Sequence, residues 1–384
     1  MNITGKDGTY SVKISTYSTM QSGILRARDW LLLNNCIDIA MESTGKYWIP
    51  VFNLFEDFFD ITLANPRYTK TFPGNKTDPR DARWLSELHR IGLVAPSFIA
   101  PKGIRELREL TRYRTKLIKM RSAEKNRVQN SLTVCNIMLS SVASDTFGKS
   151  GMAIINALLL EEELTEDVLQ VIVLGKLRSK IPDLMEALKG NLSETQADKI
   201  RIAFDNYLNF NEKIANLDAL IAEKSSPYQE LIVLLCTVPG IKKTAALAIL
   251  AEIGTDMSKF FSADHLCSWS GVCPQNNQSA GKKKPARSKS GNSYLESVLV
   301  QCANAAVKEA GSFFSGRFNS IKARRGHNKA IVAICRSMLT SIYHIILKKE
   351  AFKEPNRVRP VTKSEVLKLV ARLESLGYKV EKAA

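Results

Sequence analysis

The first hundred residues switch repeatedly between two hydrophobic rhythms. Thr9–Thr16 alternates apolar and polar side chains with a period of two, the mark of a strand, and Gly5-Lys6-Asp7-Gly8 before it reads as a hairpin turn. Residues 22–34 and Tyr47–Asp57 repeat at helical spacing, as do residues 79–91. Ile37–Met41 and Ile61–Ala64 are short apolar runs of strand length, the second stopped by Asn65-Pro66. Strands alternating with helices predict an α/β sheet covered by helices, with Ile37–Met41 as a buried strand. The strand ahead of the first turn is only the stub Met1–Thr4, from which we expect a sheet that has lost residues upstream.

Beyond residue 102 the pattern becomes helical. From Ile104 to about Leu132, Leu107, Leu110, Leu117, Val128 and Leu132 fall near heptad spacing, and Ser193–Lys224 is a second long, polar helix. Two long helices flanking an insert predict a helical hairpin or coiled coil, serving as an arm or a dimerisation surface. The acidic run Glu161–Asp167 is expected to mark a boundary. After Pro239 helices dominate, apart from a Gly/Ser/Lys-rich loop at 274–292. Within Leu234–Gly254, Pro239-Gly240-Ile241-Lys242-Lys243 opens an Ala-rich helix in the manner of a helix-hairpin-helix, where a glycine turn and helix N-terminal amides grip a phosphate. The plainer alternative is a helix start with solvated lysines. The expected domains are 1–102 (α/β), 103–235 (helical connector with an acidic insert), 236–350 (basic and mainly α-helical) and 351–384 (a tail with a short helix).

Composition narrows the class. The 384 residues are 45% hydrophobic and 24% charged, enough for sizeable cores and too ordinary for a disordered polyelectrolyte. We expect no membrane span, because no apolar run approaches the roughly 18–20 residues required, and no signal-peptide pattern opens the chain. Seven cysteines without a CxxC pair read as reduced thiols in a cytoplasmic protein. The net charge of +17 is segregated: +2 over residues 1–102, +6 over 103–150, −6 over 151–235 and +15 over 236–384. Such partition points to modules with different partners, at least one of them a polyanion.

Three sets of residues carry candidate chemistry. Glu42 follows Ile37–Met41 at a strand's C-terminal end, the edge where open α/β sheets bind ligands. Asp78-Pro79-Arg80-Asp81 puts two carboxylates in one helical first turn; capping by Asp78 with Pro79 at the first position accounts for that pattern alone. Taken with Glu42, however, the set has the oxygen donors for hard divalent cations. In the basic loop, Ser279 lies beside Gly281 and ahead of Lys282, Lys283, Lys284, Arg287 and Lys289, but no histidine lies nearby to act as its base. His265, Cys267 and Cys273 lack the spacing and fourth ligand of a zinc site, so buried thiols are expected. Lys322, Arg324, Arg325, His327 and Lys329 form a second basic patch. Lys242, Lys243, the loop cations, Arg324 and Arg325 are the candidate nucleic-acid contacts.

Met41-Glu42-Ser43-Thr44-Gly45, Lys76-Thr77-Asp78-Pro79-Arg80-Asp81-Ala82 and Gly271-Val272-Cys273-Pro274 with Ser279-Ala280-Gly281-Lys282 occur in this order. Over roughly residues 1–350 the chain resembles the insertion-sequence transposases that join a RuvC-like DEDD domain to a C-terminal domain carrying a serine, the bridge-RNA-guided recombinases of the IS110 group. The resemblance implies a RuvC/RNase H-like N-terminal domain, here without its first strand and first Asp. It implies Mg²⁺ held by Glu42, Asp78 and Asp81, and Ser279 as nucleophile forming a covalent phosphoserine link. It also implies donor and target DNA and a structured guide RNA as partners, a coiled-coil arm assembling dimers into tetramers, and a cytoplasmic, nucleoid-associated location. Without the first Asp, to which Asp7 is no substitute, the expectation is impaired recombination. Two alternatives remain open: a RuvC-like junction nuclease using water, and a non-catalytic nucleic-acid-binding remnant.

Overall fold

The computed structural model describes residues 2–4, 10–65, 77–274, 278–279, 281–283, 290–355 and 363–380. The chain divides into two compact units, Met1–Pro101 and Lys102–Ala384.

In the first unit, β1 (Asn2–Thr4) pairs antiparallel with β2 (Tyr10–Val12), Ile3 opposite Ser11. The strand expected over Thr9–Thr16 is therefore shorter, because a ladder ends where its partner does. The Gly5–Gly8 turn lies outside the described residues. Helix α1 (Gln21–Leu33) leads to β3 (Asp38–Glu42), helix α2 (Trp48–Phe55) and β4 (Asp60–Ala64). β3 and β4 run parallel with Asp38 opposite Asp60 and Glu42 opposite Ala64, a β-α-β unit. Ile24 of α1, Phe55 of α2 and Phe59 are the buried centre, with Ile39 and Ile61 of the sheet packed against them. The expectation of a buried first parallel strand needs correction. Ile39, Ala40 and Met41 are only half-buried, and Ile37, outside the strand, is 74% exposed. Among the described residues β3 has one neighbouring strand, β4. Helix α3 (Asp78–Arg90) packs on β3. His89 Nε2 lies 2.8 Å from Asp38 Oδ1, which ties the helix's last turn to the strand's first residue.

The second unit begins with α4 (Lys102–Val134), a 33-residue helix. Four short helices follow: α5 (Leu139–Val142), α6 (Lys149–Leu159), α7 (Glu166–Ile172) and α8 (Ile181–Ala187). The chain then returns through α9 (Glu194–Lys224). Polar pairs show α4 and α9 to be antiparallel. Lys224 donates to Glu106 at 3.2 Å, Arg114 pairs with Asp218, and Arg121 Nη1 donates to Asn211 Oδ1 at 3.0 Å. Val128 and Leu132 of α4, Ile200 and Phe204 of α9, and Ile154, Leu169 and Leu184 of the short helices share one core. The acidic run Glu161–Asp167 consequently divides helices and not domains. Glu161 takes a left-handed φ of 58° between α6 and α7, and both helices face the same core.

The remainder is a helical cluster: α10 (Gln229–Cys236), α11 (Lys243–Ile253), α12 (Ala263–Ser270), α13 (Ser293–Ala306), α14 (Phe313–Arg325) and α15 (His327–Lys348). A last helix, α16 (Lys363–Ser375), follows it. Between α12 and α13, β5 (Gln278–Ser279) and β6 (Lys282–Lys283) form a minimal hairpin. The expectation that no segment is apolar enough to span a membrane is overturned for α15, whose length and composition suffice. Its apolar side chains serve a different end: Ile334, Met338, Leu339 and Ile342 are fully buried, and the helix packs on α12, α13 and α14.

Gly240, in the turn between α10 and α11, shows how tightly this cluster is packed. It has φ of 81°, and a Cβ there would lie 2.3 Å from the Cys302 carbonyl oxygen and 2.7 Å from the Ala306 amide of α13. Gly240→Ala is therefore expected to destabilise the protein by about 2–3 kcal/mol, through a positive φ combined with overpacking. Urea unfolding checks this; a loss below about 0.5 kcal/mol, the ordinary surface value, would contradict it.

Candidate functional site

Glu42 is the last residue of β3, at the carboxyl edge of the parallel pair, and is exposed. The Thr44 hydroxyl donates to its Oε1 at 2.6 Å, and Gly45 follows with φ of 57°. The Glu-Ser-Thr-Gly sequence thus shapes its own carboxylate before the chain turns away. Asp78 and Asp81 both lie in the first turn of α3, where the helix dipole favours negative charge. The capping role considered for Asp78 is not the one observed. The N-cap is Thr77, with extended φ −139° and ψ 146°, and its side chain makes no capping bond; Asp78 is the first helical residue and Pro79 the second. Lys76, the residue before this motif, lies outside the described residues. Among the described residues no group of three His, Cys, Asp or Glu side chains is gathered to hold a metal ion. Glu42, Asp78 and Asp81 therefore have the right donor chemistry for Mg²⁺ but do not fit a closed three-ligand cage in this arrangement.

The serine lies in the second unit, on a loop whose base is closed. α12 ends at Gly271 in the left-handed conformation, and a Cβ on Gly291 would fall 2.3 Å from the Ser270 carbonyl. The two ends of the loop therefore touch backbone to backbone, a contact that requires glycine. What looked like an open loop contains a hairpin. Ser279 is in register with Lys282 and Gln278 with Lys283, and Gly281 takes φ of 74° in the turn between them. Lys282 is exposed. Residues 275–277, Ala280, Lys284, Arg287 and Lys289 lie outside the described residues, as do the side chains of Ser279 and Lys283.

The loop's exit is the N-cap of α13. Asn292 Oδ1 accepts from the amides of Tyr294 and Leu295 at 3.1 and 3.2 Å, while its Nδ2 donates to Glu252 Oε2 at 2.6 Å. Glu252 is 3% exposed on α11. Arg112 of α4 grips it bidentately, Nε and Nη2 each at 2.7 Å, and stacks 4.6 Å from the Tyr294 ring. Arg108 adds hydrogen bonds to the carbonyls of Ala251 and Glu252 at 2.8 and 3.0 Å. The Glu252 hydrogen bond raises the Arg112 pKa, whereas burial lowers that of Arg108. The sequence reading missed this network. The signal was a lone carboxylate in the apolar run Leu247–Ile253, where burial demands a partner.

Beside the network, α4, α9, α11 and α13 line an open cleft of about 820 Å³. Lys119, Lys242 and Lys243 reach it together with Thr244 and Ser297. Lys242 is the N-cap of α11, so two of the sequence-predicted cations stand where that helix presents its first amides. Arg324 and Arg325 lie elsewhere. They end α14, are joined to α15 through Gly326 at φ 82°, and form an exposed corner with Lys322, His327 and Lys329.

Cys135, Cys267, Cys302 and Cys335 are thiols of the interior, whereas Cys273, expected to be buried, is only half-buried. Cys267 Sγ contacts the Arg336 carbonyl and the Thr340 hydroxyl, both at 3.7 Å, and the His265 ring packs on Phe260 and Phe261. Burial pushes Cys267 and Cys302 up to about 11 and Cys335 to about 12.

Residues 3–137 match a transposase family of the DEDD type, and residues 233–318 match the transposase IS116/IS110/IS902 family. The first stretch contains Glu42, Asp78 and Asp81; the second contains Lys242, Lys243, Ser279 and Lys282. The chain is also similar to the pilin gene-inverting protein of Moraxella bovis, 24% identical over 356 residues covering 88% of this chain and 89% of that protein. The pilin gene-inverting protein of Moraxella lacunata matches with the same identity and coverage.

Thiol titration at pH 8 tests the cysteine assignment. Cys36, Cys236 and Cys273 are expected to react with an aromatic disulfide reagent in the native protein, and buried Cys135, Cys267, Cys302 and Cys335 only after unfolding. Added Zn²⁺ should leave the native pattern unchanged; protection of Cys273 by zinc would contradict it.

Proposed function

The chain belongs to the IS110/IS116/IS902 family of transposases, and from that premise we propose that it cuts and rejoins DNA with Ser279 as the nucleophile. Family membership supports DNA recombination; the observation that carries the finer reading is how the candidate residues divide between the two matches. Glu42 at a sheet's carboxyl edge and Asp78 and Asp81 at a helix start fall in one, and a serine on a closed-base, lysine-flanked hairpin falls in the other. In the proposed step the Ser279 hydroxyl oxygen attacks a backbone phosphorus. The phosphorus–oxygen bond to one strand breaks, that oxygen takes up a proton, and a phosphoserine ester remains. Attack by the hydroxyl of a second strand reverses the ester and joins the new ends, so the energy of the broken bond is conserved in the phosphoserine ester.

Glu42, Asp78 and Asp81 are proposed as the Mg²⁺ side of the enzyme. The ion would stabilise negative charge on phosphate oxygens, although these side chains do not close a cage in this arrangement. Lys242, Lys243, Lys282, Lys283, Lys284, Arg287, Lys289, Arg324 and Arg325 are proposed to neutralise nucleic-acid phosphates, with α10, the Gly240 turn and α11 acting as a helix-hairpin-helix. The +15 of residues 236–384 and the +6 of 103–150 support double-stranded donor and target DNA and a structured guide RNA as partners in the cytoplasm. For the proposed dimer and tetramer, the arm presents Tyr113, Met120, Ile202, Leu208 and Leu220 as exposed apolar side chains. The four-part division at 102, 235 and 350 belongs to the same proposal.

The test is a denaturant-resistant protein–DNA species formed on element-end DNA with guide RNA and Mg²⁺. Ser279→Ala should abolish it and leave DNA affinity within about twofold, the effect of a neutral surface change. Cleavage retained by Ser279→Ala would favour a water-using junction nuclease, and no cleavage by either protein a binding-only role. Lys242→Glu with Lys243→Glu should weaken binding across all sequences and reduce the salt-dependence slope by about 2, one unit per lost phosphate contact. An unchanged slope would remove these lysines from the interface.

A further inference from the structure

We propose that Glu252 is a positioning residue for the serine-bearing loop, fixing the loop's exit through Asn292 and tying it to the arm helix α4 through Arg112. The inference rests on the reading of Ser279 as the reactive group, and it is carried by geometry on both sides of the loop. At the entrance, Gly291 backs directly onto Ser270 and Gly271, so the loop's two ends form a single neck. At the exit, the next residue is Asn292, whose amide is engaged at both its oxygen and its nitrogen. Its oxygen caps α13 and its nitrogen donates to Glu252. The hairpin bearing Ser279 therefore springs from a neck whose orientation is set by one buried carboxylate.

That carboxylate is more than stability requires. A buried ion pair is often no more stabilising than apolar residues of similar volume, and the other buried residues of α11, Leu247, Leu250 and Ala251 among them, are apolar. What the ion pair adds is direction. Arg112 approaches with two parallel hydrogen bonds, a geometry that fixes the carboxylate plane, and the Tyr294 ring holds the guanidinium from the other face. Arg112 and Asn292 both bond to Oε2, so a displacement of α4 is transmitted to the loop's exit through a single atom. The arm carries other ion pairs, such as Arg114 with Asp218, which joins α4 to α9.

Amide hydrogen exchange on the full chain tests the placement without requiring activity. Glu252→Gln keeps the shape and removes the charge. It is expected to speed exchange across the described parts of residues 271–295 by at least about tenfold, the effect of losing one charge-assisted hydrogen bond. Arg112→Met with Glu252→Met guards against simple unfolding. It should melt close to the wild type yet show the same loosened neck, whereas Arg114→Met with Asp218→Met should leave the neck unchanged. In the protein–DNA linkage assay, Glu252→Gln should lower the covalent yield about tenfold at unchanged DNA affinity. Exchange within twofold of wild type in Glu252→Gln, or a neck equally loosened by the Arg114/Asp218 pair, would overturn the proposal. Retention of the covalent species by Ser279→Ala would instead remove the serine reading, and the exchange contrast would still decide the clamp.

Discussion

A carboxylate inside an apolar helix must find compensating charge and hydrogen bonds or it neutralises or unfolds its surroundings. Glu252 finds them at two places far from it in the sequence: Arg112 and, one turn earlier, Arg108 on α4, and Asn292 at the foot of α13. Meeting that one requirement brings together α4, α11 and α13. It seats the 33-residue arm on the C-terminal cluster and fixes where the serine loop leaves it. The neighbouring cleft lies between the same helices, so the cations at its rim, Lys242 and Lys243, take their places from the same packing.

The long helices were legible because amphipathic periodicity and length leave little choice. Residues 22–34 and Ser193–Lys224 are helical at Gln21–Leu33 and Glu194–Lys224. Glu42 at a strand end was legible for the same reason, since a short apolar run ending in an acid has one natural register. What escaped depends on partners distant in sequence. Glu252 meets Arg112 across a separation of 140 residues, which no local pattern reports. The hairpin at Ser279 has two-residue strands without apolar alternation, so it carried no strand signal. Asp78 was read as a cap because Asp-Pro ordinarily starts helices that way. The extended Thr77 instead precedes the first turn, and Asp78 is already helical.

Charge and structure divide the labour in the same way. The first unit is nearly neutral and offers carboxylates at a sheet edge and a helix start. The second concentrates cations around α11, the hairpin and the α14–α15 corner. Attraction to phosphate is non-specific and salt-sensitive, so the basic surface supplies grip and not sequence choice.

The central claim, that Ser279 becomes covalently joined to DNA, is tested most directly by peptide mapping. The protein–DNA species would be trapped, its DNA digested to a nucleotide stub, and the modified residue located by mass spectrometry. The account predicts a single nucleotide-bearing peptide with the added phosphodiester on Ser279. Strand cleavage with no modified peptide, or a nucleotide attached at any other residue, would contradict it.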